Sequence, residues 1–549
     1  MKQRVIKNID HKGIMDELQR RVDDSITRWE QVPHYSTMLN IDKAVARFIQ
    51  AVNNNERIVF IHDSDADGLG TYMLSVVFFR FFNYQNIEIM ITDRHNGYGF
   101  VPKYVNDRCN DNVGLYITAD NGITSIPACK RAKELGIDVI ITDHHQVDIE
   151  QGLPDAIVID PHQNECSFKY PNINGTFVYW YFLWAVADIA KTPINMRTEF
   201  LPELSLTTIS DVMPLTGINR FVVKEGLKVF GTHHRQWSKT FFTVFNKPSI
   251  TAEDLAFNLI PAINATSRLT NAEESAMFLT RETLHDSTIW LSYIKALNDV
   301  RKGKQEDLMI AINSFYGTWL EKNFILIPGE NFEKGILGPA AGRLAQTHKK
   351  PVIVLSKNKA GDTYSGSGRS TGKINLLGLV KDNPYIISDR TGGHKAAAGV
   401  SFPVKDLNNF FLQLEKDTAA LDPDLYYDES KEPFGMLKLR LVDYQLLEDI
   451  NKFQPFGEQF QKPSFMASGK FTKVSKIGKQ KNHYTLEIQD GLGCKLRGVW
   501  FFFEEELEKN TNYTFIFTIN KDDFKNDDPE AIVLHIKEIV NVLDYKFEE

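Results

Sequence analysis

Ile58-Val59-Phe60-Ile61 leads within two residues to Asp63-Ser64-Asp65-Ala66-Asp67-Gly68, and this stretch decides how the chain is read. Two further aliphatic runs end in the same way. Val113-Gly114-Leu115-Tyr116-Ile117-Thr118 precedes Asp120-Asn121-Gly122, and Ile137-Asp138-Val139-Ile140-Ile141-Thr142 precedes Asp143-His144-His145. Shorter runs cover 87–93 and 157–160 and also close on an aspartate. Brief apolar runs separated by helical patterns read as buried parallel strands, and in such sheets ligands collect beyond the carboxyl ends of the strands. With 69–82 and 126–135 as crossover helices, the acids and imidazoles are expected along one rim.

That rim has the donors a pair of divalent cations needs. Asp63-x-Asp65-x-Asp67-Gly68 opens like a calcium loop, but Leu74 stands where the closing Glu belongs and a strand precedes it. Taken singly, the triple acid is an ordinary solvated turn, Asp-Asn-Gly a hairpin turn, and His144-His145 two surface histidines. Three such clusters at three strand ends in one unit point instead to a dinuclear centre. Carboxylates with few imidazoles and no thiolate select Mn²⁺ or Mg²⁺, with Mn²⁺ preferred because imidazole suits it better. Two such ions activate water for hydrolysis of a phosphodiester or phosphoanhydride.

The 549 residues, 42% of them hydrophobic, exceed one core and imply several domains. Four scattered cysteines, Cys109, Cys129, Cys166 and Cys494, argue against a disulfide framework or a Cys-rich zinc site and fit a reducing, cytoplasmic setting. The first residues mix charge with single apolar side chains, so no signal peptide is expected. The longest apolar stretch, 177–187, is too short to span a membrane and reads as a buried helix. A net charge of -8 argues mildly against a polyanionic partner, although local basic patches can override the mean.

The expected class is α/β: two α/β domains joined by helices, followed by an OB-like β-barrel. Residues 1–45 read as a helical, polar lead-in, 46–230 as the catalytic domain and 231–320 as a helical connector. Residues 321–430 read as a second α/β domain with strands near 324–327 and 352–355, a helix near 339–346, and Gly-rich loops at 365–370 and 392–399. Beyond 431, alternating runs at 484–488, 495–500, 513–519 and 531–536 suggest the barrel.

The motif set resembles the DHH phosphoesterases. Asp63-x-Asp65-Ala66-Asp67-Gly68, Asp120-Asn121-Gly122, Asp143-His144-His145 and Thr208-Ile209-Ser210-Asp211-Val212-Met213-Pro214-Leu215 are similar to that family's four motifs. Gly392-Gly393-His394 with Ala397-Ala398-Gly399 resembles the signature of the DHH-associated domain. Within the superfamily the arrangement looks most like the RecJ-type exonucleases, which degrade single-stranded DNA from 5′ to 3′. Supporting matches occur at 94–99, 261–268, 338–345 and 455–457, so the resemblance runs from about residue 40 to the end. The chain departs from the pattern at Asn172-Ile173-Asn174-Gly175-Thr176-Phe177, where the family usually has a Gly-rich turn.

The resemblance implies metal ligands at Asp63, Asp65, Asp67, Asp120, His144 and Asp211, with Asp120 as the bridge and Asp120, His144 and His145 as the catalytic group. His145 would face the scissile phosphate, and Asp143 would orient an imidazole through its other nitrogen. Arg94, Arg268, Ser367 and Arg369 would contact phosphates, with His394 lining the same cleft. On its own the Gly/Ser run at 365–370 reads as a surface loop, and Arg94 as a solvated cation. In the barrel, Lys470, Lys473, Lys476, Lys479 and Lys481 interleave with Phe471, His483 and Tyr484, a mixture suited to single strands. The binding assignment falls on Lys473, Lys476 and Tyr484. An exposed basic hairpin is the plain alternative.

The implied partner is single-stranded DNA with a 5′ phosphate; a single-strand-binding protein or a helicase is a candidate protein partner, and no membrane is expected. The implied activity is hydrolysis of single-stranded DNA to mononucleotides by two-metal activation of water. Two other readings stay open: a DHH phosphodiesterase acting on short oligonucleotides or cyclic dinucleotides, and a non-catalytic replication scaffold. The extra barrel speaks against the first, and the complete ligand set speaks against the second.

Overall fold

The N-terminus departs from the helical lead-in expected for residues 1–45. Arg4–Ile9 is a strand, β1, and His11–Arg21 a helix, α1. The structure, a computed structural model, describes residues 4–93, 97, 99–147, 152–387, 391–426, 432–478, 481–501, 503, 506–522, 528 and 530–548. Residues 1–23 and 428–549 form one compact unit and 24–427 the other, so the lead-in is divided between them.

The larger unit begins with α2 (Ile41–Asn53) and then the expected parallel sheet. Its strands are β2 (Arg57–His62), β3 (Ile87–Ile91), β4 (Val113–Ala119), β5 (Asp138–Thr142) and β6 (Ile157–Ile159), in the order β3-β2-β4-β5-β6. Every pairing is parallel. Helix α3 (Ala66–Phe82) follows β2, and α4 (Ile126–Glu134) follows β4. The chain passes from β2 to β3 on one side and returns to β4 on the other. The crevice where strand order reverses therefore opens beyond the ends of β2 and β4, at Asp63 and Asp120.

Both faces of this sheet are covered, which is why its strands read as continuous aliphatic runs. Ile58 and Phe60 pack with Phe48, Phe79 and Phe177 on one side. Val59, Ile61, Tyr116 and Ile141 pack with Tyr104, Cys129 and Ala132 on the other. The apolar stretch at 177–187 lies in α5 (Gly175–Ala190), whose residues from Gly175 to Ala187 are all buried. A helix apolar on every side has to be enclosed by protein. Helix α6 (Leu201–Ser210) ends at Asp211.

After α7 (Ile260–Leu269) and the 32-residue α8 (Leu284–Phe315), a second sheet forms. It contains β7 (Ile325–Gly329), β8 (Val352–Lys357), β9 (Thr363–Arg369), β10 (Gly392–His394) and β11 (Ala397–Pro403), in the order β10-β11-β9-β8-β7, with α9 (Lys334–His348) between β7 and β8. The run at 365–370, expected as a loop, is therefore mostly strand, and much of 392–399 lies in the hairpin β10–β11. Packing explains the first. A Cβ on Gly366 would lie 2.5 Å from Val354 O, and one on Gly368 would lie 2.8 Å from Leu376 Cδ2. The glycines sit on the crowded face, and Ser365, Ser367 and Arg369 take the opposite one.

In the smaller unit β12 (Met436–Leu437), β13 (Phe465–Ile477), β14 (His483–Gln489), β15 (Lys495–Phe501), β16 (Thr511–Lys521), β17 (Ile532–Ile539) and β18 (Tyr545–Glu548) form a sheet with β1. The pairings β13–β14, β14–β15, β15–β17, β17–β16 and β16–β13 close a five-stranded barrel, as expected for an OB fold. Strand β1 lies between β12 and β18, parallel to both. Among the described residues, no helix is long and apolar enough to cross a membrane.

Candidate metal centre and phosphate-binding face

The strand ends bring the acids together as the sequence predicted. Asp63 leaves β2 buried and accepts a hydrogen bond from Thr92 Oγ1 at 3.0 Å. Asp65 caps α3, accepting from the backbone N–H groups of Asp67 and Gly68 at 3.0 and 3.2 Å. Asp67, in the first helical turn, accepts from Asn174 Nδ2 at 2.9 Å and from the N–H groups of Gly175 and Thr176 at 2.8 and 3.1 Å. The segment that departs from the family pattern is thus the cap of α5, and it grips this carboxylate. Glycine is required at 175 because a Cβ there would lie 2.2 Å from Asp120 Oδ1.

Asp120 follows β4 in the left-handed region, φ 63°, and Val212, next to Asp211, has φ 53°. Non-glycine residues held there are strained and recur at functional sites. Asn121 fixes the turn by donating to Ile61 O and Ala119 O, so one amide ties the ends of β2 and β4.

His144 Nε2 lies 3.3 Å from Asp120 Oδ1, 3.6 Å from Asp211 Oδ2 and 3.9 Å from Asp67 Oδ2. Asp143 accepts from the N–H groups of His144 and Ile123 and binds His145 Nδ1 at 2.7 Å. That contact commits Nδ1 and fixes the orientation of the imidazole. Burial opposes the charge on His145, but Asp143 overrides it and pushes the imidazole up to about 10. In turn burial would raise Asp143, yet His145 holds it well below the usual carboxylate range. Three acids move upward: burial and then the neighbouring Asp65 push Asp67 up to about 7, and burial followed by Asp67 drives Asp120 and Asp211 well above their ordinary values.

This arrangement fits divalent cations. The buried Asp120 Oδ1 and Asp211 Oδ2 receive no hydrogen bond from the described residues, a condition buried polar atoms rarely tolerate. Ligand atoms of Asp63, Asp65 and Asp120 lie within 4.8 Å of one another, as do those of Asp67, His144 and Asp211, and those of Asp120, Asp143, His144 and His145. Asp120 belongs to two of these groups, the position a bridging carboxylate needs. Oxygen donors with imidazole and no thiolate suit Mn²⁺ or Mg²⁺.

On the second sheet Arg369 Nη1 donates to Ser367 Oγ at 3.0 Å and to Gly368 O at 2.7 Å. Both side chains face α9, where a Cβ on Gly338 would lie 3.2 Å from each. Burial pushes the Arg369 guanidinium down from its ordinary value. The carbonyl of Arg268, near the end of α7, would lie 2.1 Å from a Cβ on Gly335, so that helix packs on the first turn of α9. One turn earlier Asn264 Oδ1 accepts from Ala66 N at 2.8 Å, so α7 reaches both the triple acid and the second sheet. Arg94 lies outside the described residues, and so does the side chain of His394, whose backbone runs in β10.

The barrel corrects one assignment. Tyr484 is 1% exposed, its ring stacked on Phe503 at 3.6 Å and its hydroxyl 3.2 Å from Glu506 Oε2. A ring enclosed in this way cannot stack on a base. Lys473 and Lys476 are on the surface and paired with Glu487 and Glu506 at 2.7 and 2.6 Å. The row of rings nearer solvent is His483, Phe501 and His535, with centroids 5.4 Å apart at each step and Phe501 43% exposed. Alternation along β14 and β15 could have separated these faces. The supports from Thr92, Asn174 and Asn264 are not legible in the sequence, since polar partners distant along the chain leave no local signal.

Comparisons with known proteins agree with this layout. The DHH family, N-terminal domain matches residues 57–206, the DHHA1 domain 320–419, and the RecJ OB domain 432–537. The single-stranded-DNA-specific exonuclease RecJ of Salmonella typhimurium is 30% identical over 518 residues, covering 88% of this chain and 86% of that protein. Its Escherichia coli counterpart is 29% identical, covering 89% and 87%. The crystal structure of Thermus thermophilus RecJ with Mn²⁺ superposes with a TM-score of 0.77 at 21% identity, covering 98% of this chain and 80% of that one. With the strand-end acids, the DHHA1 sheet and the barrel all in place, the chain belongs to the RecJ family of DHH phosphoesterases.

Proposed function

We propose that this protein is a cytoplasmic exonuclease that hydrolyses single-stranded DNA from the 5′ end to mononucleotides, using Mn²⁺ or Mg²⁺. The reading is carried by Asp120, a buried carboxylate shared by two ligand clusters and adjacent to a cationic His145. Asp63, Asp65, Asp67, Asp120, His144 and Asp211 would hold two ions. When bound, these supply Lewis acidity, giving a hydroxide nucleophile at neutral pH and neutralising phosphodiester charge.

The side chains do the rest. The side-chain amide of Asn174 and the backbone N–H groups of Gly175 and Thr176 hold Asp67 in one rotamer, and Asp143 holds His145 charged and oriented. His145 donates to the phosphate oxygen on which charge develops, where a fixed cation in a dry site is strongest. Ser367 and Arg369 take the terminal 5′ phosphate: the guanidinium forms two parallel hydrogen bonds and the hydroxyl a third. Arg268, and Arg94 by resemblance, contact the following phosphates. Lys473 and Lys476 exchange their carboxylate partners for backbone phosphates, and the exposed rings of the barrel receive bases. A single-strand-binding protein or helicase is the proposed loading partner.

Digestion of one oligonucleotide labelled at either end, as single strand and as duplex, with Mn²⁺, Mg²⁺ or chelator, tests the reading. Mononucleotides should leave the 5′ end of the single strand only when metal is present. Faster turnover of a dinucleotide than of the long strand would favour the small-substrate alternative. Arg369→Ala should weaken the preference for 5′-phosphorylated over 5′-hydroxyl ends by at least about tenfold, the effect of losing a charge-assisted pair. Turnover at saturating strand should change less, and an unaltered end preference would remove Arg369 from this role.

A further inference from the structure

His62, the last residue of β2, is fully buried and directly precedes Asp63. Its Nδ1 is 2.7 Å from Thr71 Oγ1 and its Nε2 3.2 Å from Ser75 Oγ, and Ser75 Oγ is 2.6 Å from Tyr179 OH. Thr71 Oγ1 donates to Gly68 O at 2.6 Å. A carbonyl only accepts, so the direction of the whole chain follows. Thr71 spends its proton on Gly68 and must accept from His62 Nδ1–H. The neutral ring then accepts at Nε2 from the Ser75 hydroxyl, which accepts in turn from Tyr179. Thr71, Ser75 and Tyr179 are also fully buried, so water cannot substitute for any link. Phe60, Tyr72 and Tyr179 surround the imidazole at 6.4, 5.8 and 5.7 Å between ring centroids.

The relay ends on the turn that carries the acids. Gly68 belongs to the first turn of α3, its N–H bonded to Asp65 and its Cα so close to the strand end that a Cβ would lie 2.3 Å from Asp63 O. At its other end Tyr179 stands one turn along α5 from Thr176, whose hydroxyl donates to Asp67 O at 2.7 Å. Helix α5 therefore holds the triple-acid turn twice, directly through Asp67 and indirectly through His62.

We propose that His62 is a positioning residue of the metal centre, setting the spacing of Asp63, Asp65 and Asp67 by fixing the first turn of α3 against the end of β2. The inference rests on the metal-centre reading above. Partners that orient metal ligands without touching the ion typically govern affinity by 10- to 100-fold. His62→Phe keeps an aromatic ring and removes both nitrogens. Mn²⁺ binding, followed by the electron paramagnetic resonance signal of the free ion well below the melting temperature, should weaken by about 10- to 100-fold. Thr71→Val should do the same. The double variant should be no worse than either single one, since both cut one relay. Thermal stability will fall in any case and does not decide the matter.

A folded His62→Phe that binds Mn²⁺ within twofold of the wild type would reduce the relay to core packing. Should that variant fail to fold, Thr71→Val and Ser75→Ala decide by the same criterion. A wild-type protein that binds no Mn²⁺ would instead overturn the metal-centre reading itself.

Discussion

Asp120→Asn is expected to reduce release of mononucleotides from a labelled single strand by about a thousandfold or more in saturating Mn²⁺. The estimate follows from losing several kcal/mol of charge stabilisation when a shared ligand goes, at about 1.4 kcal/mol per tenfold. The substitution preserves shape, so the fold should survive. Burial and then Asp67 already drive the Asp120 carboxyl well above its ordinary value. Replacing it by a neutral amide removes repulsion, and the metal-free melting temperature should stay level or rise. The diagnostic result is the pair: lost activity with unimpaired metal-free stability. Activity within tenfold of the wild type would show that the two ligand clusters do not depend on this carboxylate. A collapse in metal-free stability would mean that it serves the fold instead.

The second large effect concerns pH and metal together. Asp67 is pushed up to about 7 from 3.8, first by burial and then by Asp65, so between those values the folded chain keeps a proton that the unfolded chain has released. Stability must then fall as pH rises through that window. Asp120 and Asp211 are shifted in the same direction. His145, raised to about 10, adds stability that is complete below about 6.5 and lost as pH climbs to 10. Asp143 contributes oppositely, since its lowered value gives stability lost only as pH drops through the acid range. The chelated protein should therefore be most stable in mild acid and lose a few kcal/mol toward pH 8. Mn²⁺ at a hundred times its Kd adds about 2.7 kcal/mol, and its apparent Kd should tighten with pH because binding displaces those protons. Melting curves at pH 5 and pH 8, with Mn²⁺ and with chelator, provide the check. A metal-induced shift equal at both values would contradict a centre built on these acids.

How much was legible in the sequence depended on which forces acted locally. Strands β2, β4 and β5 were clear because both faces of their sheet are covered, which forces unbroken aliphatic runs, and the acids stand at the strand ends where the topology reverses. Strand β9 reads as a loop in the sequence because glycine disfavours strands. The structure shows Gly366 and Gly368 chosen for lack of space against Val354 and Leu376, a reason written in residues elsewhere in the chain. Tyr484 reads from composition as a stacking platform because composition does not report which face a strand residue takes. Phe503, which covers it, comes from beyond β15. The metal ligands could be proposed from their positions, but the grip of Asn174, Gly175 and Thr176 on Asp67 could not. It spans more than 100 residues and looked only like an irregular turn.

The placement of β1 between β12 and β18 has a consequence for biosynthesis. Arg4 Nη1 donates to the hydroxyl of Tyr545, a partner 541 positions later, at 2.9 Å. At about 5–20 residues per second, the ribosome needs roughly half a minute to two minutes to make that interval. For most of it, until β12 has been made, β1 lacks both of its neighbouring strands while the large intervening unit emerges. Its two cationic side chains, Arg4 and Lys7, are of the kind that discourages promiscuous strand addition during such a wait.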